Sequence, residues 1–382
     1  MSAPAIYLDN NATTAIDPEV LAVVSEICQT AFANPGSQHG FGRAARNVLE
    51  DSRDCIAELL GAQSSEVIFT SGGTESLNAA VYGFTVGRKG AIAFTDGEHP
   101  AMLSACERAR QAGLKTCSIA VDTNGRIIDE RLAELPWDDL KLVGVILAHN
   151  ETGVIQDLSI LSKLCQQHKV PLLVDAVQAV GKISVNFREL GATALAFGAH
   201  KFHGPRGAGG LLLRRGVPLP PFLEGGHQEG GRRAGTETVP LIAGMAKALE
   251  LFAADSEAFI AATTHRRDQL QQHLTARFPN SIVHGQVAER LPNTLNIAFL
   301  GINAEALLVN LDLAGIACSL GTTCASGSAE ATPALLAMGC DEQTARSSIR
   351  LSLSRMTTVD EVQSASEIIV QVIQAMRQSQ QA

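Results

Sequence analysis

The chain has 382 residues, of which 46% are hydrophobic and 18% charged, so it is long enough for two or three globular domains. Its 39 acidic side chains outnumber its 30 basic ones, and the net charge of −9 argues against a nucleic-acid-binding surface as its main function. The sequence shows no apolar run of membrane-spanning length, no signal-peptide pattern and no metal-ligand spacing among its eight cysteines. We therefore expect a cytoplasmic protein that binds neither a membrane nor a metal ion.

Seven short apolar runs, rich in β-branched residues, alternate with amphipathic stretches in the first part of the chain. The predicted strands are EVIFT (66–70), AIAFT (91–95), KTCSIAV (115–121), KLVGVILAH (141–149), PLLVDA (171–176), ALAFGA (194–199) and GGLLLRR (209–215). Helical patterns such as PAMLSACERARQAG and LSILSKLCQQHK lie between many of them. Strands that are apolar throughout and separated by helices predict an α/β fold, with a mostly parallel sheet covered on both faces.

The pattern changes near residue 255. A charged helix is predicted over 264–278, followed by shorter strands at 293–300 and 348–354 with helices between and after them. We therefore expect a large α/β domain that ends near residue 255 and a smaller α+β domain made by the rest of the chain.

Polar residues follow several of the predicted strands directly. The first strand runs into SGGTESLN, where two glycines precede a helix whose unpaired N–H groups would suit a phosphate. Capping of that helix by Ser71 or Thr74 explains the same residues nearly as well. His99 follows the second strand, and Asn150 and Glu151 follow the fourth. In parallel sheets, ligands bind beyond the carboxyl ends of the strands, so these residues predict a site there.

Two charged residues stand at the ends of otherwise apolar strands. Asp175 needs a cationic partner or strong hydrogen bonds at that depth, although the N-cap of a helix is an alternative role. Partial burial of Lys201 would lower its pKa and make its amine a nucleophile. A lysine that can form a Schiff base, an aspartate for a ring nitrogen, a histidine to stack on the ring and a phosphate cradle together indicate pyridoxal phosphate.

Motifs along nearly the whole chain resemble those of the cysteine desulfurases, class V members of the fold-type I pyridoxal phosphate enzymes. The motifs are YLDNNATT, NPGSQHGFG, VIFTSGGTESLN, GEHPAML, HNETGVIQDL, VDAVQAVGK, AHKFHGPRG, GGHQEGGRRAGTETV, LPNTLNIAF and SSIRLSLSRMTT. The resemblance implies a large domain over residues 15–255 and a small domain formed by residues 1–14 and 256–382. The small domain would carry a cysteine loop at about 318–332.

The resemblance also assigns roles to single residues. Lys201 would bind the cofactor covalently, with Asp175 on the ring nitrogen and Gln178 on the ring hydroxyl. His99 would stack on the ring and take part in proton transfer. The resemblance assigns the phosphate to Gly73, Thr74, His200 and, from a second subunit, Thr236. It assigns the substrate carboxylate to Asn150 and Arg350, and it also places Asn150 among the cofactor-binding residues. It implies a homodimer.

The implied reaction removes the sulfur of L-cysteine. The Cys324 thiolate would attack that sulfur, leaving a Cys324 persulfide and alanine, and His99 is the candidate to favour the thiolate. Gly321 and Gly327 would let the loop move. The persulfide would pass to an iron–sulfur scaffold or to another acceptor in cofactor or tRNA thiolation, and whether Cys324 also binds a transient iron–sulfur cluster stays open.

Two positions depart from the family pattern. Gly198 stands where the family has a serine that donates to the phosphate, so one hydrogen bond is missing or comes from water. The cysteine loop reads CSLGTTCASGSAEATP, in which Cys318 and the threonines are unusual. Three alternatives stay open: a selenocysteine lyase, an aminotransferase or β-lyase on the same fold, and a scaffold without activity.

Overall fold

The computed structural model describes residues 5–320 and 333–381. Thirteen strands form three sheets within these residues. The strands are β1 (Ile6–Tyr7), β2 (Val67–Thr70), β3 (Ala91–Thr95), β4 (Lys115–Ile119), β5 (Leu140–Ile146), β6 (Leu172–Asp175), β7 (Ala194–Gly198), β8 (Gly209–Leu213), β9 (Ser281–Val283), β10 (Thr294–Phe299), β11 (Ile316–Ala317), β12 (Ser319–Leu320) and β13 (Ser348–Ser352).

The helices fall between and after these strands. They are α1 (Pro18–Thr30), α2 (Gly40–Leu59), α3 (Gly73–Thr85), α4 (Pro100–Gln111), α5 (Ser159–His168), α6 (Val239–Ala253), α7 (Ser256–Arg277), α8 (Ala304–Leu313), α9 (Pro333–Ala337), α10 (Glu342–Ala345) and α11 (Val359–Gln381). Local sequence explains several starts: Asp17 accepts from the Glu19 amide ahead of α1, and Asn303 accepts from the Ala306 amide ahead of α8. Among the described residues, no helix has the length and apolar character needed to cross a membrane.

The largest sheet contains the seven predicted strands in the order β2-β8-β7-β6-β5-β3-β4. Strand β8 is antiparallel to both of its neighbours, and the other strand pairs are parallel. The side chains of β7 alternate between the faces, because Leu195 and Phe197 join one hydrophobic core and Ala194 and Ala196 another. The first core also contains residues of α1, α2, α5 and α6, and the second contains residues of α3 and α4. The predicted α/β sheet, mostly parallel and covered on both faces, is confirmed.

A third core lies around the antiparallel sheet β12-β13-β10-β9. Residues of α7, α8 and α11 pack against it, including Leu270, Leu307 and Ile369. The N-terminal strand belongs to this part of the molecule, because β1 pairs with β11 and Leu8 joins the same core. The chain thus crosses from this core to the large sheet just after residue 9, and brings Asn11 to the edge of the large sheet.

The carboxyl ends of five strands meet along one edge of the large sheet. Strands β2, β3, β5, β6 and β7 point the same way, since β2 and β7 are both antiparallel to β8. Each of the five is followed within a few residues by a predicted site residue: Gly73 after β2, His99 after β3, Asn150 after β5, Asp175 at the end of β6 and Lys201 after β7. The fold therefore collects these side chains at one edge.

Candidate active site

Lys201 is half-buried just past the end of β7, in a single 3₁₀ turn. Its Nζ donates to the backbone carbonyl oxygens of Asn11 at 2.6 Å and Ala12 at 2.8 Å. Burial and the nearby charge of Arg350 together lower the pKa of Lys201 to about 8, although Asp175 and other carboxylates act in the opposite direction. A substantial fraction of this amine is therefore neutral near pH 8, as a nucleophile or a base requires.

Asp175 is almost fully buried at the end of β6. Its Oδ1 accepts from the Val177 amide at 3.0 Å, so the side chain caps a turn and not an α-helix. Burial raises the pKa of Asp175 to about 6, and the Val177 amide and Lys201 act to lower it. A buried carboxyl of this kind favours a cationic ring N–H as its partner.

A buried polar cluster joins Gln178 to Lys182 and Asn11. Lys182 Nζ donates to Gln178 Oε1 and to Asn11 Oδ1, and Gln178 Nε2 donates to the Asn11 carbonyl oxygen at 2.9 Å. Burial holds the pKa of Lys182 well below its usual range. Because Lys182 occupies the side-chain oxygen of Gln178, the amide NH₂ is the end that remains for a ring hydroxyl.

Asn11 and Lys182 are absent from the residues that sequence reasoning selected. Asn11 also donates to Thr294 Oγ1 at 2.8 Å and accepts from Asn293 at 3.0 Å, so it links the large sheet to β10. The signal was present in both cases: Asn11 lies in the YLDNNATT motif, and Lys182 is a lysine four residues after Gln178 in an apolar stretch.

His99 is the N-cap of α4, ahead of Pro100. Its Nδ1 accepts from the Ala101 amide at 3.1 Å, which assigns the ring proton to Nε2. Burial lowers the pKa of His99 to about 4, and the charges of Lys201 and His149 add to this effect. The imidazole is therefore neutral near pH 7 and donates from Nε2, so it does not supply positive charge to a thiolate.

Within the described residues, no side chain caps the start of α3. Its N-cap is Gly72, which has no side-chain capping bond, so neither Ser71 nor Thr74 caps this helix. A Cβ on Gly73 would lie 2.4 Å from Val177 Cγ2, so only glycine lets the helix approach so closely. The first amides of α3 are thus available to an anion.

Gly198 lies close to the same helix start. A Cβ at this position would lie 3.3 Å from the Gly73 amide nitrogen. The family serine at this position would therefore point to the start of α3, and this chain lacks that hydroxyl. His200, two residues on, is held by Thr13 Oγ1, 3.2 Å from its Nδ1.

Thr236 is exposed, on a segment anchored by two ion pairs. Arg53 makes a buried two-pronged pair with Glu229, both contacts at 2.8 Å, and Arg233 pairs with Glu75 of α3. The segment is thereby fixed against the large sheet while Thr236 faces outward.

Arg350, on β13, reaches the carboxyl end of β5. Its Nη1 donates to Glu151 Oε1 at 2.8 Å and to the Asn150 carbonyl oxygen at 3.2 Å, and its Nη2 donates to Asp9 Oδ1 at 2.8 Å. Asn150 Nδ2 also donates to Glu151 Oε1, at 2.7 Å. The two predicted carboxylate-binding residues are therefore brought together, and both bind a carboxylate of this chain. The sequence predicts Glu151 at this strand end but indicates no role for it.

The predicted nucleophile Cys324 and the glycines Gly321 and Gly327 lie outside the described residues. Cys318 precedes them, between β11 and β12. Burial raises the pKa of the Cys318 thiol to about 12, and the nearby Asp9 adds to the effect. Cys318 is therefore a protonated thiol near neutral pH and a poor nucleophile.

The described residues fit pyridoxal phosphate in three respects. Lys201 offers an amine of lowered pKa, Asp175 offers a buried carboxyl, and the uncapped start of α3 offers amides for a phosphate. All three lie at one edge of one sheet.

Comparison with known proteins agrees with this geometry. The model of the aminotransferase class-V family matches residues 6–364. A cysteine desulfurase of Trichormus azollae is 41% identical over 375 residues, covering 97% of this chain and 94% of the relative. The cysteine desulfurase NifS of Azotobacter vinelandii is 39% identical over 94% of this chain and 90% of its own length.

A solved structure, that of a NifS-like protein, superposes with a TM-score of 0.90 at 33% identity, covering 97% of this chain and 99% of that one. The match of the family model over most of the chain and the identity of the relatives lead to the same conclusion. The chain belongs to the aminotransferase class-V family.

Proposed function

We propose that this chain is a cysteine desulfurase, which uses pyridoxal phosphate to take the sulfur from L-cysteine and release L-alanine. One observation carries the proposal: Lys201, Asp175 and the uncapped start of α3 meet at one sheet edge. They do so in a chain that matches proteins named cysteine desulfurase over 97% of its length.

The residues that would hold the cofactor follow from their positions. Lys201 would bind it covalently, Asp175 would pair with the ring nitrogen and Gln178 would donate to the ring hydroxyl. His99 would stack on the ring. Gly73, Thr74 and His200 would bind the phosphate. When bound, pyridoxal phosphate withdraws electrons from the Cα of an amino acid.

The remaining steps belong to the chain's own side chains. Arg350 and Asn150 would bind the substrate carboxylate and orient its Cα–H bond towards Lys201 Nζ. Because the pKa of Lys201 is lowered to about 8, its neutral Nζ can accept a proton from Cα and return one to the alanine product. His99 would contribute a hydrogen bond from Nε2, since its Nδ1 is occupied by Ala101.

Cys324 completes the proposal as the sulfur acceptor. Its thiolate Sγ would bond to the sulfur of the substrate as the C–S bond breaks, leaving a Cys324 persulfide. That sulfur would then pass to an iron–sulfur scaffold or another acceptor protein. The role rests on the motif around Cys324 and on the relatives named cysteine desulfurase.

The proposed enzyme is a homodimer in which Thr236 of each subunit reaches the phosphate of the other. The outward position of Thr236 supports this arrangement. So do Phe32 and Phe41, which are 67% and 65% exposed and pack on each other with ring centroids 5.7 Å apart. An exposed aromatic pair of this kind is typical of a protein interface.

We also propose the domain division expected from the sequence, 15–255 against 1–14 and 256–382. The core around the smaller sheet supports it, because that core joins Leu8 to residues beyond 255 and shares no residue with the two cores of the large sheet. A cytoplasmic location is part of the same proposal, and the seven described cysteines, which are all free, support a reducing compartment.

Alanine formation tests the function. Purified protein that contains pyridoxal phosphate is given L-cysteine and a reductant but no 2-oxo acid, and alanine and sulfide are measured for the wild type and for Cys324→Ala. The proposal requires alanine from the wild type only. Turnover of cysteine by both proteins would instead favour a lyase, and a requirement for a 2-oxo acid would favour an aminotransferase.

A further inference from the structure

A single carboxylate oxygen occupies the two donors that the proposed function assigns to the substrate. Glu151 Oε1 accepts from Arg350 Nη1 at 2.8 Å and from Asn150 Nδ2 at 2.7 Å. Both distances are those of strong, charge-assisted or well-formed hydrogen bonds. A substrate carboxylate cannot bond to either donor in the same way while Glu151 Oε1 remains there.

Glu151 is also held without a full set of partners. Its side chain is buried, and its second oxygen, Oε2, has no hydrogen-bond partner among the described residues. Asn150 Oδ1 is likewise buried without one. A buried oxygen without a partner raises the free energy of this arrangement, which makes it easier to exchange than a saturated one.

Asp9 keeps Arg350 in place during such an exchange. Arg350 Nη2 donates to Asp9 Oδ1 at 2.8 Å, and this bond does not involve Glu151. Asp9 and Glu151 already bring two carboxylates to the one guanidinium of Arg350, so a third carboxylate would bond to Arg350 best after Glu151 is displaced. A cavity of about 260 Å³, lined in part by Glu98, His149 and Glu151, offers room for the displaced side chain.

We propose that Glu151 is an internal competitor for the substrate carboxylate and thereby determines which amines the site accepts. The carboxylate of a ligand replaces both hydrogen bonds that Arg350 and Asn150 make to Glu151. An amine without a carboxylate has no acceptor to replace them. The inference rests on the proposed function only in assigning these two donors to the substrate carboxylate.

The test compares two ligands that differ only in the carboxylate, L-alanine and ethylamine. Their equilibrium binding to the cofactor-loaded protein is measured by calorimetry for the wild type and for Glu151→Gln. A neutral amide oxygen competes less well for a guanidinium, so L-alanine should bind about fivefold to tenfold more tightly to the variant. The affinity for ethylamine should not change. The KM for L-cysteine should fall, with kcat preserved.

Two further variants provide a control and an alternative to Glu151→Gln. Glu66→Gln removes another buried carboxylate, one that accepts from the Gln63 and Arg215 amides, and should leave both affinities unchanged. Glu151→Asp keeps the charge but shortens the side chain by one methylene, so it should also tighten L-alanine binding if Glu151→Gln does not fold.

An unchanged or weaker affinity for L-alanine, or an equal change for both ligands, would overturn the proposal. Binding needs no turnover, so this result is independent of the desulfurase assay. In one outcome the wild type forms alanine from cysteine while Glu151→Gln binds L-alanine no more tightly than the wild type does. That result refutes the exchange and leaves the desulfurase activity supported. A selective gain for L-alanine in a protein that forms no alanine from cysteine supports the exchange and refutes the desulfurase.

Discussion

Lys182 donates from its Nζ to the side-chain oxygen of Gln178, deep in the site and four residues away in sequence. The same ammonium or amine nitrogen lies 2.9 Å from Asn11 Oδ1. Lys182 therefore fixes the orientation of the Gln178 amide, so that its NH₂ is the end that could donate to the ring hydroxyl proposed for the cofactor.

Replacement of Lys182 by methionine should weaken cofactor binding. The substitution keeps most of the side-chain volume but leaves Gln178 Oε1 without its donor, at a cost of about 1–3 kcal/mol. We expect the dissociation constant for pyridoxal phosphate to rise about tenfold, as measured by equilibrium dialysis. Lys163→Met, which changes an exposed lysine of α5, is the matched control and should bind like the wild type. Equal affinities for all three proteins would contradict the role of Lys182.

The rate at which the cofactor binds to the cofactor-free protein should rise with pH. The neutral amine of Lys201 is the nucleophile, and burial lowers the pKa of this lysine from 10.5 to about 8. Below pH 8 most of the amine is protonated, so the rate should increase between pH 7 and 9 with a midpoint near 8. The reaction is followed by the absorbance of the bound cofactor near the visible edge of the spectrum.

Arg350→Gln provides a check on the cause of that midpoint. The charge of Arg350 contributes to the lowered pKa of Lys201, so its removal should move the midpoint to higher pH. A wild-type rate that keeps rising steeply beyond pH 9, with no midpoint near 8, would show that Lys201 keeps an ordinary pKa.

Serine at position 198 should restore a hydrogen bond to the phosphate. Gly198 has an extended backbone with φ −147°, which serine adopts without strain. Its Cβ would lie 3.3 Å from the Gly73 nitrogen, so a small shift of the start of α3 suffices. We expect Gly198→Ser to bind pyridoxal phosphate up to about tenfold more tightly in the dialysis experiment. Weaker binding would show that the close approach of α3 and β7 does not tolerate a side chain.

Cys318 should resist alkylation under conditions that label a catalytic thiolate. Burial raises the pKa of its thiol to about 12, so almost none is ionised at pH 8. Iodoacetamide followed by peptide mass spectrometry should leave Cys318 unmodified in the folded protein, and Cys318→Ala should still form alanine from cysteine. Loss of alanine formation in Cys318→Ala would make this cysteine part of the sulfur path.

The large sheet was predictable because its strands are continuous apolar runs bounded by polar residues. All seven were located, but KLVGVILAH was predicted to extend to 149, whereas β5 ends at Ile146. The chain turns there, since the His149 amide donates to the Val154 carbonyl oxygen. The antiparallel direction of β8 was not predictable from its sequence, because an apolar strand buried on both faces has the same residue pattern in a parallel or an antiparallel pair.

Some residues of the candidate site were predictable from the sequence and others were not. Lys201, Asp175 and His99 were predictable because each lies at or just after the end of an apolar strand. Burying a polar or charged side chain there costs free energy unless it has a partner, so its presence indicates a functional site. Asn11, Lys182 and Glu151 act through partners distant in the chain: Asn11 and Lys182 are 171 residues apart, and Glu151 and Arg350 are 199 apart. The motifs around these residues are visible in the sequence, but these long-range partners are not, so the contacts required the fold.

The location of the transferred sulfur tests the central claim most directly. The cofactor-loaded protein is mixed with one equivalent of L-cysteine without reductant, quenched, and digested for mass spectrometry of all eight cysteines. We predict one additional sulfur atom on Cys324, alanine in equal amount, and no sulfur on Cys318. Alanine formed without sulfur on Cys324, or with the sulfur on another cysteine, would contradict this prediction.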